Sequence, residues 1–85
     1  MFEIEWDDRA RKELRSLDKP FQKKILKYMK EKVSSNPTIF GKKLTGDKSG
    51  LLRYRVEDFR IICKIECEKL IILVLRVGHR KNIYD

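Results

Sequence analysis

The stretch "LLRYRVEDFRIICKIECEKLIILVLRV", residues 51–77, decides the fold. It contains three apolar-rich segments separated by the short polar groups "ED" and "ECEK". In the first two segments apolar and basic side chains alternate, which is the period of a strand with one buried face. The third segment is apolar at nearly every position, as expected of a strand that is covered on both faces. We therefore predict three consecutive strands joined by tight turns.

The residues before this stretch predict one more strand and two helices. The segment "FEIEW" alternates like a half-buried strand, and Asp7 or Asp8 can cap the helix that follows. Asp18 can cap a second helix, which ends before Pro37. Apolar residues recur at helical spacing in both helices, at Ala10, Leu14 and Leu17 and then at Phe21, Ile25, Met29 and Val33.

Together these elements predict an α+β fold of order β-α-α-β-β-β. A helical hairpin would pack on a mostly antiparallel four-stranded sheet. Residues 35–50 would form a long connection, which Ile39, Phe40 and Leu44 could attach to the body. A chain of 85 residues is the size of one small domain, so we assign residues 1–85 to a single domain.

Composition excludes several classes of protein. No apolar run approaches the roughly 20 residues that span a bilayer, and the acidic N-terminus is unlike a signal peptide, so we expect a cytoplasmic protein with no membrane partner.

Cys63 and Cys67 would lie about 13 Å apart on one strand, too far for a disulfide. With no further ligands nearby, we expect reduced thiols, Cys63 in the core, and neither a metal nor a cofactor.

Charge indicates a polyanionic partner. The net charge is +8, and residues 19–43 hold eight lysines and one acidic residue. The strand alternation also places Arg53 and Arg55 on the sheet face opposite the core. Arg60 and Lys64 from the next strand, and Arg76 from the last, could join them there. An exposed sheet face is often polar for solubility alone, but arginine offers a planar fork of donors suited to phosphate.

These residues carry a family resemblance. "YRVEDFRI" and "VGHRKNIY", with the preceding "GKKLTG" and helical hairpin, make nearly the whole chain similar to the RelE/ParE toxins of toxin–antitoxin pairs, and most similar to the RelE branch. The resemblance implies an endoribonuclease (an mRNA interferase) that cuts mRNA in the ribosomal A site. There the ribose 2′-hydroxyl attacks the scissile phosphate, which arrests translation and growth. It also implies a RelB-like antitoxin, contacts to ribosomal RNA, and operator DNA bound through the antitoxin complex.

The resemblance also implies which residues act. The matching catalytic positions are Arg53, Arg55, Arg60, Arg80 and Tyr84. Arg60 would stabilise the charge of the transition state, and Arg80 would neutralise the leaving oxygen. The cations that we expect to bind RNA around this set are Lys42, Lys43, Lys64, Arg76 and Lys81. Many RelE toxins carry lysine at the first two positions; because arginine is a poor general base, Tyr84 and Lys64 remain candidates for that role.

His79 has two interpretations. His79 titrates near neutral pH and could act as a general acid, but a lone histidine beside a turn is more often structural. Gly78 would allow the chain to turn between the last strand and the tail.

Two other functions stay open for the chain as a whole. One is a ParE-type poison of DNA gyrase, and the other is an inactive relative that only binds an antitoxin.

Overall fold

The computed structural model describes residues 1–46, 50–79 and 81. The elements of this part of the chain are β1 (Glu3–Trp6), α1 (Asp8–Arg15), α2 (Lys19–Tyr28), a π-helical turn (Met29–Val33), α3 (Pro37–Phe40), β2 (Lys42–Lys43), β3 (Leu51–Val56), β4 (Phe59–Glu66) and β5 (Ile71–His79). They confirm the predicted α+β class. The hairpin of α1 and α2 follows the first strand, and β3, β4 and β5 follow in succession.

The described strands form one sheet in the order β1-β5-β4-β3-β2. β1 runs parallel to β5, and the other neighbours are antiparallel. The prediction of four strands is therefore wrong by one, because Lys42 and Lys43 pair with Arg53 and Leu52 as an additional edge strand. Two charged residues carry no apolar alternation, so the sequence pattern could not indicate this strand.

The segment predicted as a long connection is more ordered than expected. It contains α3 and β2, and its contacts differ from those predicted. Leu44 is buried against Ile62 and Leu51, as expected. Phe40 is 41% exposed, but its ring contacts Tyr28 of α2 with centroids 6.3 Å apart, so it does attach the segment to the body. Ile39 is instead 70% exposed, and the single turn of α3 buries Pro37. Residues 47–49 lie outside the described part.

The main core lies between the helices and one face of the sheet. Ile25, Met29 and Val33 are buried there, against Ile61 and Cys63 of β4. We call this side the helix-covered face. Cys63 is buried and Cys67 is exposed, and both are free thiols, in agreement with the sequence. Burial raises the pKa of the Cys63 thiol, so Cys63 stays protonated and packs as an apolar group.

Tyr54 joins α3 to the sheet. Its side chain is fully buried, and its hydroxyl donates a hydrogen bond of 2.6 Å to the Pro37 carbonyl oxygen. Gly41 passes close by, where an added Cβ would lie 2.9 Å from the Tyr54 ring. Burial, with smaller effects from Cys63 and Tyr28, raises the pKa of Tyr54 far above its ordinary value, so the hydroxyl stays a donor.

This contact gives a first prediction. Replacing Tyr54 by phenylalanine keeps the ring and removes the donor, which leaves the Pro37 oxygen buried without its partner. We expect a loss of about 1–3 kcal/mol in the free energy of unfolding, measured by urea denaturation. Tyr28→Phe is the matched control, since Tyr28 is only partly buried. Equal effects of the two substitutions would contradict the assignment.

Candidate functional site

Three arginines meet on the sheet face opposite the helices, which we call the open face. Arg55 of β3 lies directly opposite Arg60 of β4. Arg53 lies two residues before Arg55 on the same strand, opposite Ile62. Directly opposite residues share a face of the sheet, and residues two apart on a strand lie about 6.6 Å apart along it. Arg53, Arg55 and Arg60 therefore form one group, which we call the arginine cluster.

The electrostatics of Arg53 show how close these charges are. Arg53 is partly buried, whereas Arg55 is exposed. Burial, together with the positive charges of Arg60 and Arg55, lowers the pKa of the Arg53 guanidinium from its ordinary value. Positive charges close to Arg53 also stabilise an anion that binds near it. Arginine forks also suit the oxygens of a phosphate.

Gly78 belongs to the same row of the sheet as Arg55 and Arg60. It lies inside β5, directly opposite Arg60. The prediction that Gly78 turns the chain into the tail is therefore wrong, because β5 continues through His79. Because a glycine has no side chain, β5 adds no further side chain to this row.

Two of the predicted lysines extend the open face, and one does not. Lys42 is opposite Arg53, and Lys64 is opposite Leu51, so both belong to this face and both are exposed. Lys43 is opposite Leu52 and so belongs to the other side of the sheet, at its exposed edge. Lys64 also lies four residues from Arg60 along β4, a distance of about 13 Å.

Arg76 is engaged by a residue that the sequence analysis missed. It occupies the row of Ile62 and Arg53, but its guanidinium binds the Glu13 carboxylate of α1, with N–O distances of 2.9 and 3.1 Å. The Val77 backbone N–H also donates to Glu13, at 2.9 Å. Glu13 is one of two acidic residues in α1, and nothing in the sequence distinguished it. Arg76 thus joins α1 to β5 instead of extending the cluster.

Glu13 makes the stability of the fold depend on pH. Partial burial alone would raise the Glu13 pKa, but the hydrogen bonds from Arg76 and Val77 and the charges of Arg76 and Arg9 outweigh it and lower the pKa below 4.5. A carboxyl whose pKa is lowered in the folded state stabilises that state above its unfolded pKa. This stabilisation is lost as the pH falls through the folded pKa.

We expect Glu13→Gln to lower the free energy of unfolding by about 1–3 kcal/mol at pH 7. The difference from the unsubstituted protein should shrink as the pH falls from 6 toward 3, because protonation of Glu13 removes the same interaction. Denaturant titrations at several pH values measure it. Glu3→Gln, at an exposed position of β1, is the control and should show no such convergence. A difference that is independent of pH would contradict the role of the Glu13 charge.

His79 belongs to the opposite face of the sheet from the arginine cluster. It is the last residue of β5 and lies opposite Phe59, on the helix-covered face. The two rings meet edge to face with centroids 6.0 Å apart. The Lys81 backbone N–H donates to His79 Nδ1 at 3.3 Å. This placement supports the structural interpretation of His79. Lys81 itself is exposed, and the predicted catalytic residues Arg80 and Tyr84 lie outside the described residues.

The described ranges contain no group of three or more potential metal ligands. None of the helices within them has the length and apolar character needed to cross a bilayer. The arginine cluster has the positive charge and the planar donors that suit the oxygens of a phosphate.

Comparisons with known proteins identify the family of the chain. A sequence model of the family described as "ParE toxin of type II toxin-antitoxin system, parDE" matches residues 4–84. The chain belongs to this toxin family. It is 35% identical over 82 residues to a RelE-like toxin protein of Escherichia coli, covering 95% of this chain and 85% of that protein. This confirms the predicted family and its type II toxin–antitoxin context.

Solved structures of RelE toxins share the fold of this RelE-like toxin. The toxin–antitoxin complex RelBE of Mycobacterium tuberculosis aligns with a TM-score of 0.89 at 24% identity, covering 93% of this chain and 98% of that one. The isolated E. coli RelE toxin aligns with a TM-score of 0.79 at 26% identity, covering 93% and 84%.

Proposed function

We propose that this RelE-like toxin is an endoribonuclease that cuts mRNA in the A site of the ribosome. The observation that carries the proposal is the arginine cluster on the open face, next to Gly78. The cluster supplies cations held close together on one face of a rigid sheet, and positioned cations are the main requirement for catalysis of phosphoryl transfer. A ribosomal target also places the site of action in the cytoplasm.

In the proposed reaction the ribose 2′-oxygen attacks the adjacent phosphorus and the bond from phosphorus to the 5′-oxygen breaks. The products are a 2′,3′-cyclic phosphate and a 5′-hydroxyl. Arg60 binds the non-bridging oxygens, where negative charge increases in the transition state. Arg53 and Arg55 flank it and bind the same or neighbouring phosphates, and Arg80 neutralises the leaving oxygen.

The proton transfers need a group other than arginine. Lys64 and Tyr84 are the two candidates from the sequence. The separation of about 13 Å between Lys64 and Arg60 along β4 argues against Lys64 as the base at the phosphate that Arg60 binds. We therefore assign proton transfer, or stacking on a base, to Tyr84. The RNA backbone is bound by three exposed lysines, Lys42, Lys64 and Lys81. Two further cations support this binding less directly, because Lys43 lies on the other side of the sheet and Arg76 binds Glu13.

A translating system tests the proposal. Purified toxin is added to ribosomes with a defined mRNA, and cleavage is mapped by primer extension. We expect cuts that require ribosomes and that vanish when the nucleotide before the cut carries a 2′-deoxyribose, since that substrate lacks the nucleophile. Cleavage of the deoxy-substituted mRNA would contradict the mechanism, and absence of cuts in the natural mRNA would contradict the function.

The name of the matching family supports a second candidate, a poison of DNA gyrase. Such a toxin acts by binding and requires no catalytic arginines. Supercoiling by purified gyrase distinguishes the two: inhibition of supercoiling without mRNA cleavage would favour the gyrase function. Absence of both activities, and of growth arrest on expression, would indicate an inactive relative.

We also propose that a RelB-like antitoxin binds this chain, because the M. tuberculosis structure that it resembles is a toxin–antitoxin complex. The antitoxin would lie across α2 and the open face and cover the arginine cluster. Through that complex the toxin would reach operator DNA. Co-purification from the native host checks the partner: recovery of the toxin without a small partly acidic protein would contradict the proposal.

A further inference from the structure

A concave site lies at the end of the sheet, where the β3–β4 turn meets the end of β5. We call it the hairpin-end cleft. Its volume is about 550 Å³, and it is lined by Phe21, Arg55, Glu57, Asp58, Phe59 and His79. Pockets that bind small molecules have volumes of roughly 300–1,000 Å³, so the cleft can hold one flat ring.

The walls of the cleft are aromatic. The rings of Phe21 and Phe59 have centroids 5.0 Å apart and are tilted by 54°. The His79 ring meets Phe59 nearly at a right angle. Phe59 is held by the core, whereas Phe21 is partly buried and reaches the cleft from α2. Such surfaces bind an unstacked nucleobase through ring–ring contact.

The rim of the cleft is polar. Glu57 binds Lys24 through its carboxylate, at 2.8 Å, and accepts from Arg55 Nε through its backbone oxygen, at 2.9 Å. Asp58 is exposed, and within the described residues its carboxylate has no hydrogen-bond or ion-pair partner. An unengaged carboxylate accepts hydrogen bonds from amino groups. Two carboxylates at the rim also disfavour a phosphate there.

Arg55 connects the cleft to the arginine cluster. Arg55 pairs with Arg60 across the open face, its Nε donates to the Glu57 backbone oxygen in the turn, and it also lines the cleft. Phe59 and His79 belong to the helix-covered face, so the cleft opens where the two faces meet at the end of the sheet. An RNA strand whose phosphate binds the cluster can therefore place a neighbouring base in the cleft.

We propose that the hairpin-end cleft binds one nucleobase of the RNA next to the scissile phosphate and prefers bases that carry an exocyclic amino group. The aromatic wall contacts the face of the base, and the Asp58 carboxylate accepts from its amino group. Cytosine has such a group, and uracil has a carbonyl oxygen in its place. This inference rests on the proposed RNA-cleaving function, but base binding can be measured without catalysis.

The test is an NMR titration of the full chain with cytidine 5′-monophosphate, uridine 5′-monophosphate and inorganic phosphate. We expect the cytidine nucleotide to shift the amide signals of Phe21, Asp58 and His79. The uridine nucleotide should bind about two- to tenfold more weakly, the factor that one hydrogen bond contributes. Inorganic phosphate should leave the Phe21 and Asp58 signals in place. Equal affinity for the two nucleotides, or shifts that phosphate reproduces, would overturn the proposal.

Two variants sharpen the result. Asp58→Asn should abolish the preference for the cytidine nucleotide, whereas Asp8→Asn, a matched change at a side chain that is 92% exposed on α1, should keep it. Phe21→Leu should weaken binding of both nucleotides while the dispersion of the amide signals shows an intact fold. Retention of the preference in Asp58→Asn would also overturn the proposal.

The outcomes separate the cleft from the proposed activity. If the toxin cuts no mRNA but still prefers the cytidine nucleotide, the endoribonuclease function is wrong and the base site stands. If the toxin cuts mRNA and the nucleotides bind equally, the function stands and the base site is wrong. When both hold, Asp58→Asn should also change which codons are cut.

Discussion

Replacing Arg60 by alanine is expected to lower the rate of mRNA cleavage on the ribosome by about 10²–10³-fold, the usual effect of removing one preorganised donor to a transition-state oxyanion. Arg60 has the central place in the cluster, opposite Arg55 on one side and Gly78 on the other. Single-turnover cleavage of a defined mRNA at saturating toxin measures the effect. The substitution should lower the rate of the chemical step more than the affinity for RNA, because Arg53, Arg55 and the surrounding lysines still attract the RNA.

Two further variants show whether charge alone accounts for the loss. Arg60→Lys keeps the charge but loses the planar fork, so we expect an intermediate rate. Arg15→Ala removes an exposed arginine from α1, outside the cluster, and should cut at nearly the unsubstituted rate. If Arg60→Ala and Arg15→Ala lose activity equally, the cluster is not the catalytic site and the loss reflects net charge.

The second large effect is on stability. Ile25 of α2 is fully buried against the sheet, and its replacement by alanine is expected to lower the free energy of unfolding by about 2–5 kcal/mol. Since small domains are stable by only about 5–15 kcal/mol, this is a large share of the total. Urea denaturation at 25 °C measures it.

Ile39→Ala is the matched control for Ile25→Ala. It deletes the same atoms from a side chain that is 70% exposed, so we expect a change within about 0.5 kcal/mol. Similar losses in the two variants would mean that α2 does not anchor the core. In that case the burial of Ile25 would not explain how α2 is held on the sheet.

The elements with strong periodicity could be predicted from the sequence. The alternation in β3 and β4 identified the two faces, and Arg53, Arg55 and Arg60 came together as that alternation requires. The stripe of Ile25, Met29 and Val33 is buried as predicted.

The features that could not be predicted from the sequence are contacts that depend on tertiary packing. The two lysines of β2 pair through their backbone, which side-chain periodicity does not report. Glu13 lies 63 residues from Arg76, and only the packing of α1 against β5 brings them together. The hairpin-end cleft was missed for the same reason, since Phe21 and His79 come from opposite ends of the chain.

The parallel pairing of β1 with β5 limits when the toxin can fold during its own synthesis. β5 lies between β1 and β4, so β1 has no neighbour in the sheet until β5 has been synthesised. Such non-local pairing forms late. The β3–β4 hairpin that carries the arginines is local, but α1 and β1 complete their contacts only after β5 has left the exit tunnel. The sheet is therefore completed only when both β1 and β5 are outside the ribosome.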